Sequence, residues 1–189
     1  MVGDSTMHQT AASLMSRITT DSLPMASCAD QIAMGRLDGF AASTAVAMGF
    51  INTVKPDILI LNTGAHQWDM PGFIENMNNV EKLVAELRVN YPKKLSTVWK
   101  TMNPGHVNCS SQSNGPLSEH WLHNEHSSDP HHWNIFPSED SYAKKMAARL
   151  GLGVIDMSPL YYRQDAHSDC LHYCLPGPVD LFGILLLNM

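Results

Sequence analysis

Apolar residues recur along this chain with helical spacing in some stretches and as short unbroken runs in others. From Met7 to Ile18 they fall at Met7, Ala11, Leu14, Met15 and Ile18, the spacing of a helix with one buried face. Asp38 to Val54 is rich in alanine and predicts a second helix, broken at Lys55-Pro56-Asp57. Ile58-Leu59-Ile60-Leu61 is a continuous apolar run, the mark of a strand buried on both faces in a parallel sheet. Phe73 to Val89 predicts a helix through Val80, Leu83, Val84 and Leu87, and Leu95 to Thr101 the next strand. Ser138 to Leu150 predicts another helix, with Ser138 as N-cap and Glu139 and Asp140 as acidic residues of its first turn. Gly153-Val154-Ile155-Asp156 is a last short strand. Strands alternating with helices argue an α/β fold, a parallel sheet between two helical layers.

Two polar segments follow the predicted strands. Asn62-Thr63-Gly64-Ala65-His66 and Asn103-Pro104-Gly105-His106 both lie at strand C-terminal ends, where open α/β sheets bind ligands. A longer polar segment, 110–137, holds His120, His123, His126, His131 and His132. Asn124, Ser127, Ser128 and Pro130 discourage a long helix there, and no H-E-x-x-H motif occurs. A polar loop is the expectation, and no metal site is assigned.

The chain has 189 residues and a formal net charge of -6 with histidine neutral. That length suits one domain spanning 1–189, and neither an internal repeat nor a linker interrupts it. No basic patch marks a nucleic-acid partner. The longest apolar run, Phe182 to Leu187, is far too short to span a bilayer. The first residues also lack a signal-peptide pattern. Cys28, Cys109, Cys170 and Cys174 fit no zinc spacing, which leaves reduced core thiols and disulfides both open.

The candidate chemistry lies at the two ends. Gly3-Asp4-Ser5 stands just before the first predicted helix, where a backbone N–H favours negative charge. Asp169 precedes His172 by three residues, within reach on a turn. Serine, aspartate and histidine in that chain order are the parts of a hydrolytic triad. In this reading Ser5 is the nucleophile, His172 its base, and Asp169 orients the imidazole. The Ser5 N–H, the Asn62 amide and the Gly64 N–H are candidate oxyanion donors, and His66 is a candidate substrate contact. Plain turn chemistry reads Asn62-Thr63-Gly64 equally well. The strand that should carry Ser5 is almost missing, so an N-terminally truncated domain is the expectation.

These segments together resemble a known family. The set is Val2-Gly3-Asp4-Ser5, Asp57 to Trp68, Trp99-Lys100-Thr101 with Pro104 to Cys109, Arg163 to His167, and Asp169 to Gly177. It is similar to the PC-esterase branch of the GDSL/SGNH hydrolase superfamily, which includes the trichome birefringence-like proteins. The resemblance implies a three-layer α/β/α sandwich with a flavodoxin-like parallel sheet. It implies O-acyl, usually O-acetyl, transfer to or from polysaccharide hydroxyls through an acyl-enzyme, with Ser5, Asp169 and His172 as the triad. The partners implied are a carbohydrate and an acyl donor, with no cofactor. A secretory setting, Golgi lumen or extracellular, is implied as well, and with it a Cys109–Cys170 disulfide. A monomer is expected. Plant members usually read Gly-His-Trp-Trp where this chain has Gly64 to Trp68, and they carry an upstream cysteine-rich segment and an anchor. The rival reading is a non-catalytic carbohydrate-binding or structural protein on the same fold.

Overall fold

The computed structural model describes residues 1–20, 32–40, 44–91, 94–105, 131–163 and 169–187. The histidines at 106, 120, 123 and 126, most of the 110–137 segment, and Cys28 and Cys109 lie outside the described residues.

Among the described residues five parallel strands stand in the order β2-β1-β3-β4-β5. They are β1 (Val2–Gly3), β2 (Gly35–Arg36), β3 (Ile58–Leu61), β4 (Ser96–Lys100) and β5 (Gly153–Ile155). The helices are α1 (Ser5–Thr20), α2 (Thr44–Val54), α3 (Met70–Asn90), α4 (Phe136–Arg149) and α5 (Val179–Leu187). Every strand pairing is parallel, with β3 and β4 in register from Ile58↔Ser96 to Leu61↔Trp99.

Side-chain alternation along the strands sorts the core into two layers. Leu59, Leu61 and Trp99 face a cluster with Ile51, Phe73, Leu83 and Ala147 from α2, α3 and α4. Ile60, Val98 and Ile155 face the other way, onto Met7 of α1 and Val179 and Phe182 of α5. Strand β1 has only two residues, yet it is an interior strand of the sheet. It pairs with β2 through Val2↔Gly35 and with β3 through Val2↔Leu61. The Asn62 N–H donates to the Val2 carbonyl at 3.1 Å and the Leu37 N–H to the Gly3 carbonyl at 2.7 Å.

Several boundaries differ from the sequence expectations. Helix α2 does not begin at Asp38, because Phe40 is buried in the core and its N–H donates to Asn76 Oδ1 at 2.8 Å. Helix α3 starts three residues before Phe73, where Asp69 caps the Gly72 N–H and proline stands in the first turn. Helix α4 starts at Phe136, so Ser138 is not its N-cap. A 3₁₀ turn at Trp133–Ile135 feeds it, and Pro137 presets its first-turn backbone. Strand β2 and helix α5 have no counterpart among the predicted elements. Helix α5 is nearly all apolar (VDLFGILLL), so it carries no period that distinguishes it from a strand. Among the described residues no helix is long and apolar enough to cross a membrane.

Candidate active site

A sheet in the order 2-1-3-4-5 changes its winding direction between β1 and β3, and ligands of such sheets bind outside the strand ends at that point. Ser5 follows β1 there, and Asn62 to His66 follow β3.

The turn at Ser5 is held by its neighbours. Asp4 is fully buried and caps α1, its Oδ1 accepting from the Thr6 N–H at 2.9 Å and the Thr6 hydroxyl at 2.8 Å. Its Oδ2 accepts from the Ala65 N–H at 3.3 Å, which ties the turn to the loop after β3. A Cβ on Gly3 would fall 2.8 Å from Met7 Cβ and 3.0 Å from the Asn62 carbonyl oxygen. Only glycine lets β1 approach both α1 and β3 so closely. Ser5 is half-buried at the first position of α1, where the backbone N–H has no intrahelical acceptor.

At the other end of the chain Asp169 organises its own turn. Its Oδ1 accepts from the Leu171 N–H at 3.2 Å and the His172 N–H at 3.0 Å. Its Oδ2 lies 2.6 Å from His172 Nδ1. Burial pushes the Asp169 carboxyl upward, but these hydrogen bonds outweigh it and hold the group below its ordinary range. The three-residue spacing therefore serves two purposes: the carboxylate shapes the turn and faces the imidazole.

Gln9 brings the two ends together. Its Oε1 accepts from the Tyr173 N–H at 3.1 Å, and its Nε2 donates to the Tyr173 carbonyl. Gln9 stands one helical turn beyond Ser5 on the same face. Tyr173 is itself buried in the core with Met7 and Val179, and its hydroxyl donates to the Leu160 carbonyl at 3.3 Å. The residue next to His172 is thus anchored beside the first turns of α1. Among the described residues no hydrogen bond engages Ser5 Oγ, so the serine–histidine contact is not formed in this structure.

The other expected site residues fall as follows. Asn62 is fully buried, its amide donating to the Lys100 carbonyl at 3.1 Å and to Met102 Sδ at 3.3 Å. Its Oδ1 accepts from the Thr6 hydroxyl at 3.3 Å. It braces the ends of β3, β4 and α1, and both amide hydrogens are engaged within the structure. Gly64 adopts φ 144°, and a Cβ there would fall 2.9 Å from both Glu139 Oε2 and Met102 Sδ. His66 is half-exposed, with Nε2 3.7 Å from Asp38 Oδ1. It lines a cleft of about 210 Å³ together with Asp169. Cys170 is disulfide-bonded and Cys174 is free and exposed. Among the described residues no group of three or more His, Cys, Asp or Glu is placed to hold a metal ion.

Beneath these residues lies a buried polar cluster that the sequence reading did not assign. Lys100 is fully buried, and its Nζ donates to Asn103 Oδ1 at 2.9 Å, the Thr101 carbonyl at 3.1 Å and the Thr6 hydroxyl at 3.5 Å. Burial pulls its pKa down to about 8, against the pull of Asp4 and Asp140. The sequence places Glu139 and Asp140 in the first turn of α4, and Glu139 lies there. Both are buried, Glu139 beside Gly64 and Asp140 against Met102, where α4 packs over the residues that follow β3 and β4. Asp140 Oδ1 accepts from the Met102 N–H at 2.9 Å, and burial raises its pKa to about 7. Neither Glu139 oxygen has a hydrogen-bond partner among the described residues. Burial, then Asp140 and Asp4, push its pKa up to about 9. The signal available in the sequence is a lysine directly after the apolar pair Val98-Trp99 at the end of a strand.

The raised Glu139 pKa makes stability depend on pH. The folded protein keeps this proton from the ordinary 4.5 up to about 9, whereas the unfolded chain releases it. Glu139 therefore contributes stability below 4.5 that is lost as pH rises through about 9, at up to about 1.4 kcal/mol per pH unit. Glu139→Gln is expected to flatten the fall in melting temperature between pH 5 and 9 and to be the more stable protein at pH 9. Parallel curves for the two proteins in thermal scans across that range would contradict the assignment.

Fold and site together define an α/β protein with doubly wound, flavodoxin-like strand order and its polar residues gathered at the switch point. Among solved structures it is similar to an acetyl xylan esterase, AlAXEase, with a TM-score of 0.60 and 11% sequence identity over 99% of this chain and 96% of that one. At that identity the likeness is one of fold. No protein-family pattern matches the chain, and no curated protein matches it in sequence.

Proposed function

We propose that this protein is a serine-dependent O-acyl, typically O-acetyl, esterase or transferase acting on carbohydrate hydroxyls, of SGNH type and close to the PC-esterase branch. The observation that carries the reading is the Asp169–His172 contact at 2.6 Å, anchored through Gln9 and Tyr173 beside the helix start that bears Ser5. The fold shared with an acetyl xylan esterase supports it. So does the sequence resemblance.

In the proposed reaction His172 Nε2 takes the proton of Ser5 as Oγ attacks the ester carbonyl carbon. The tetrahedral intermediate collapses and the sugar oxygen leaves, taking that proton from His172. Water or a second sugar hydroxyl then attacks the carbonyl of acetyl-Ser5 and gives its proton to His172; the bond to Ser5 Oγ breaks, Oγ takes that proton back from His172, and acetate or the new sugar ester leaves. The oxyanion donors are the Ser5 and Gly64 N–H groups. Asn62 joins them where its amide exchanges the Met102 sulfur, a weak acceptor, for substrate oxygen. The Cys170 disulfide, with Cys109 as the proposed partner, tethers the loop of the dyad and suits a secretory compartment. The rival reading, a carbohydrate-binding protein without turnover, is favoured by one observation: Ser5 Oγ and His172 are not hydrogen-bonded.

A fluorophosphonate separates the two. The esterase reading expects one adduct in the intact mass, mapping to Ser5 and absent in Ser5→Ala. No adduct, or one on another residue, overturns it.

A further inference from the structure

The cleft that contains Asp169 is walled by aromatic rings from two separate segments. Trp68 and His66 come from the loop after β3, and His131 and Trp133 from the residues before α4. His131 and Trp133 are stacked, with ring centroids 4.7 Å apart and an interplanar angle of 20°. Trp68 meets His132 edge-on at 5.3 Å and 71°. His132 adopts φ 56°, a left-handed conformation unusual for a non-glycine residue, at the point where neighbouring rings take different partners. Trp133 is buried with Met102, Phe136 and Leu171, which fixes the floor. Trp68 is 66% exposed, although a tryptophan of a monomeric protein ordinarily buries most of its ring.

Two features define what such a cleft takes. A broad apolar ring face beside imidazoles and a carboxylate suits a ligand with an apolar face and a polar rim, which is the chemistry of a pyranose. Among the described residues its lining holds one carboxylate, Asp169, and no lysine or arginine. That disfavours an anionic sugar. The volume of about 210 Å³ is that of a single-residue subsite; drug-sized ligands fill roughly 300–1,000 Å³.

We propose that Trp68 and the His131–Trp133 stack form a subsite for one uncharged pyranose residue, held next to the Asp169–His172 dyad. In terms of mechanism this rests on the carbohydrate-ester reading, which it deepens by naming a neutral glycosyl unit as the part of substrate that is gripped. Trp68 supplies the stacking face, and His66 and Asp169 lie within the same cleft to meet ring hydroxyls. The subsite lies alongside the reacting ester and not around it, so a small aryl acetate cannot use it as a sugar does.

The test uses the full chain and two readouts. In the first, kcat/KM is measured for acetylated xylo-oligosaccharide and for p-nitrophenyl acetate. Trp68→Ala is expected to lower the ratio of the two at least ten-fold. In the second, unacetylated xylo-oligosaccharide and an oligogalacturonide are titrated into Ser5→Ala, with and without Trp68→Ala, by calorimetry. The neutral sugar is expected to bind Ser5→Ala, with that binding lost in the double variant, and the uronide is expected not to bind. If esters are hydrolysed but Trp68→Ala leaves both ratio and binding unchanged, the subsite is wrong and the esterase reading stands. If wild type hydrolyses no ester while Trp68-dependent sugar binding persists, the subsite stands and the esterase reading falls. Equal binding of uronide and neutral sugar overturns the assigned charge class.

Discussion

Ser5→Ala is expected to reduce hydrolysis of p-nitrophenyl acetate by on the order of 10⁴–10⁶-fold, and His172→Ala by a similar factor. Asp169→Asn is expected to lose about 10⁴-fold although it preserves the shape of the turn. An asparagine still accepts the Leu171 and His172 N–H bonds through its carbonyl oxygen, so the loop stays in place. What it removes is the charge opposite His172 Nδ1, now 2.6 Å away. The imidazole then loses its fixed tautomer, and the cation formed during proton transfer loses its counter-charge. Because hydrogen bonding holds the Asp169 carboxyl below its ordinary 3.8, the wild-type dyad keeps this charge from pH 5 upward. The losses should be non-additive, since the three residues act as a unit: a double variant should be no worse than the poorer single. Equal rates for wild type and Ser5→Ala would end the triad assignment, whatever the other variants do.

The second large effect concerns stability. Lys100→Met is expected to lower unfolding free energy by about 3–5 kcal/mol, roughly 6–20 °C in melting temperature for a chain this size. Lys100 has no solvent contact, and it donates to three acceptors at the C-terminal end of the sheet. One of these, the Thr6 hydroxyl, donates in turn to Asp4 at 2.8 Å. Removing the ammonium leaves the Asn103 and Thr101 oxygens without their donor and the buried Asp4 carboxylate without its nearby cation. An uncompensated buried charge is far more destabilising than the loss of a matched set. Lys100→Met combined with Asp4→Asn should therefore recover part of the deficit, a coupling that urea denaturation of both singles and the double would measure. A single-variant loss under about 1 kcal/mol would mean that water reaches this cluster.

The cluster also shows what local sequence does not carry at particular residues. Glu139 and Asp140 follow the start of a helix, and acidic residues there ordinarily favour the helix dipole from the solvent side. Their burial depends on α4 packing over the residues that follow β3 and β4, and no local pattern encodes that. Residue type marks Asn62 as an oxyanion donor, but the partners of its amide are not legible locally. Lys100 at the end of β4 and Met102 just after it occupy that amide, 38 and 40 residues away in sequence. Helix α5 was missed because an all-apolar segment has no period to read.

What the sequence determined by itself is whatever a few consecutive residues can enforce. The run Ile58 to Leu61 reads as a strand, since a short unbroken apolar run is the mark of a parallel sheet's interior, and three of its four side chains, Leu59 to Leu61, are buried. Asp169 could reach the N–H groups of Leu171 and His172 and the His172 ring because all lie within three residues of it. Tertiary structure alone decided the contacts made across the sheet. Gln9 meets Tyr173 across 164 residues, and Lys100 meets Thr6 across 94. Those meetings follow from the strand order that sets β1 between β2 and β3. Strand order is chosen by the total burial of both sheet faces, a sum over the whole chain that no local segment carries.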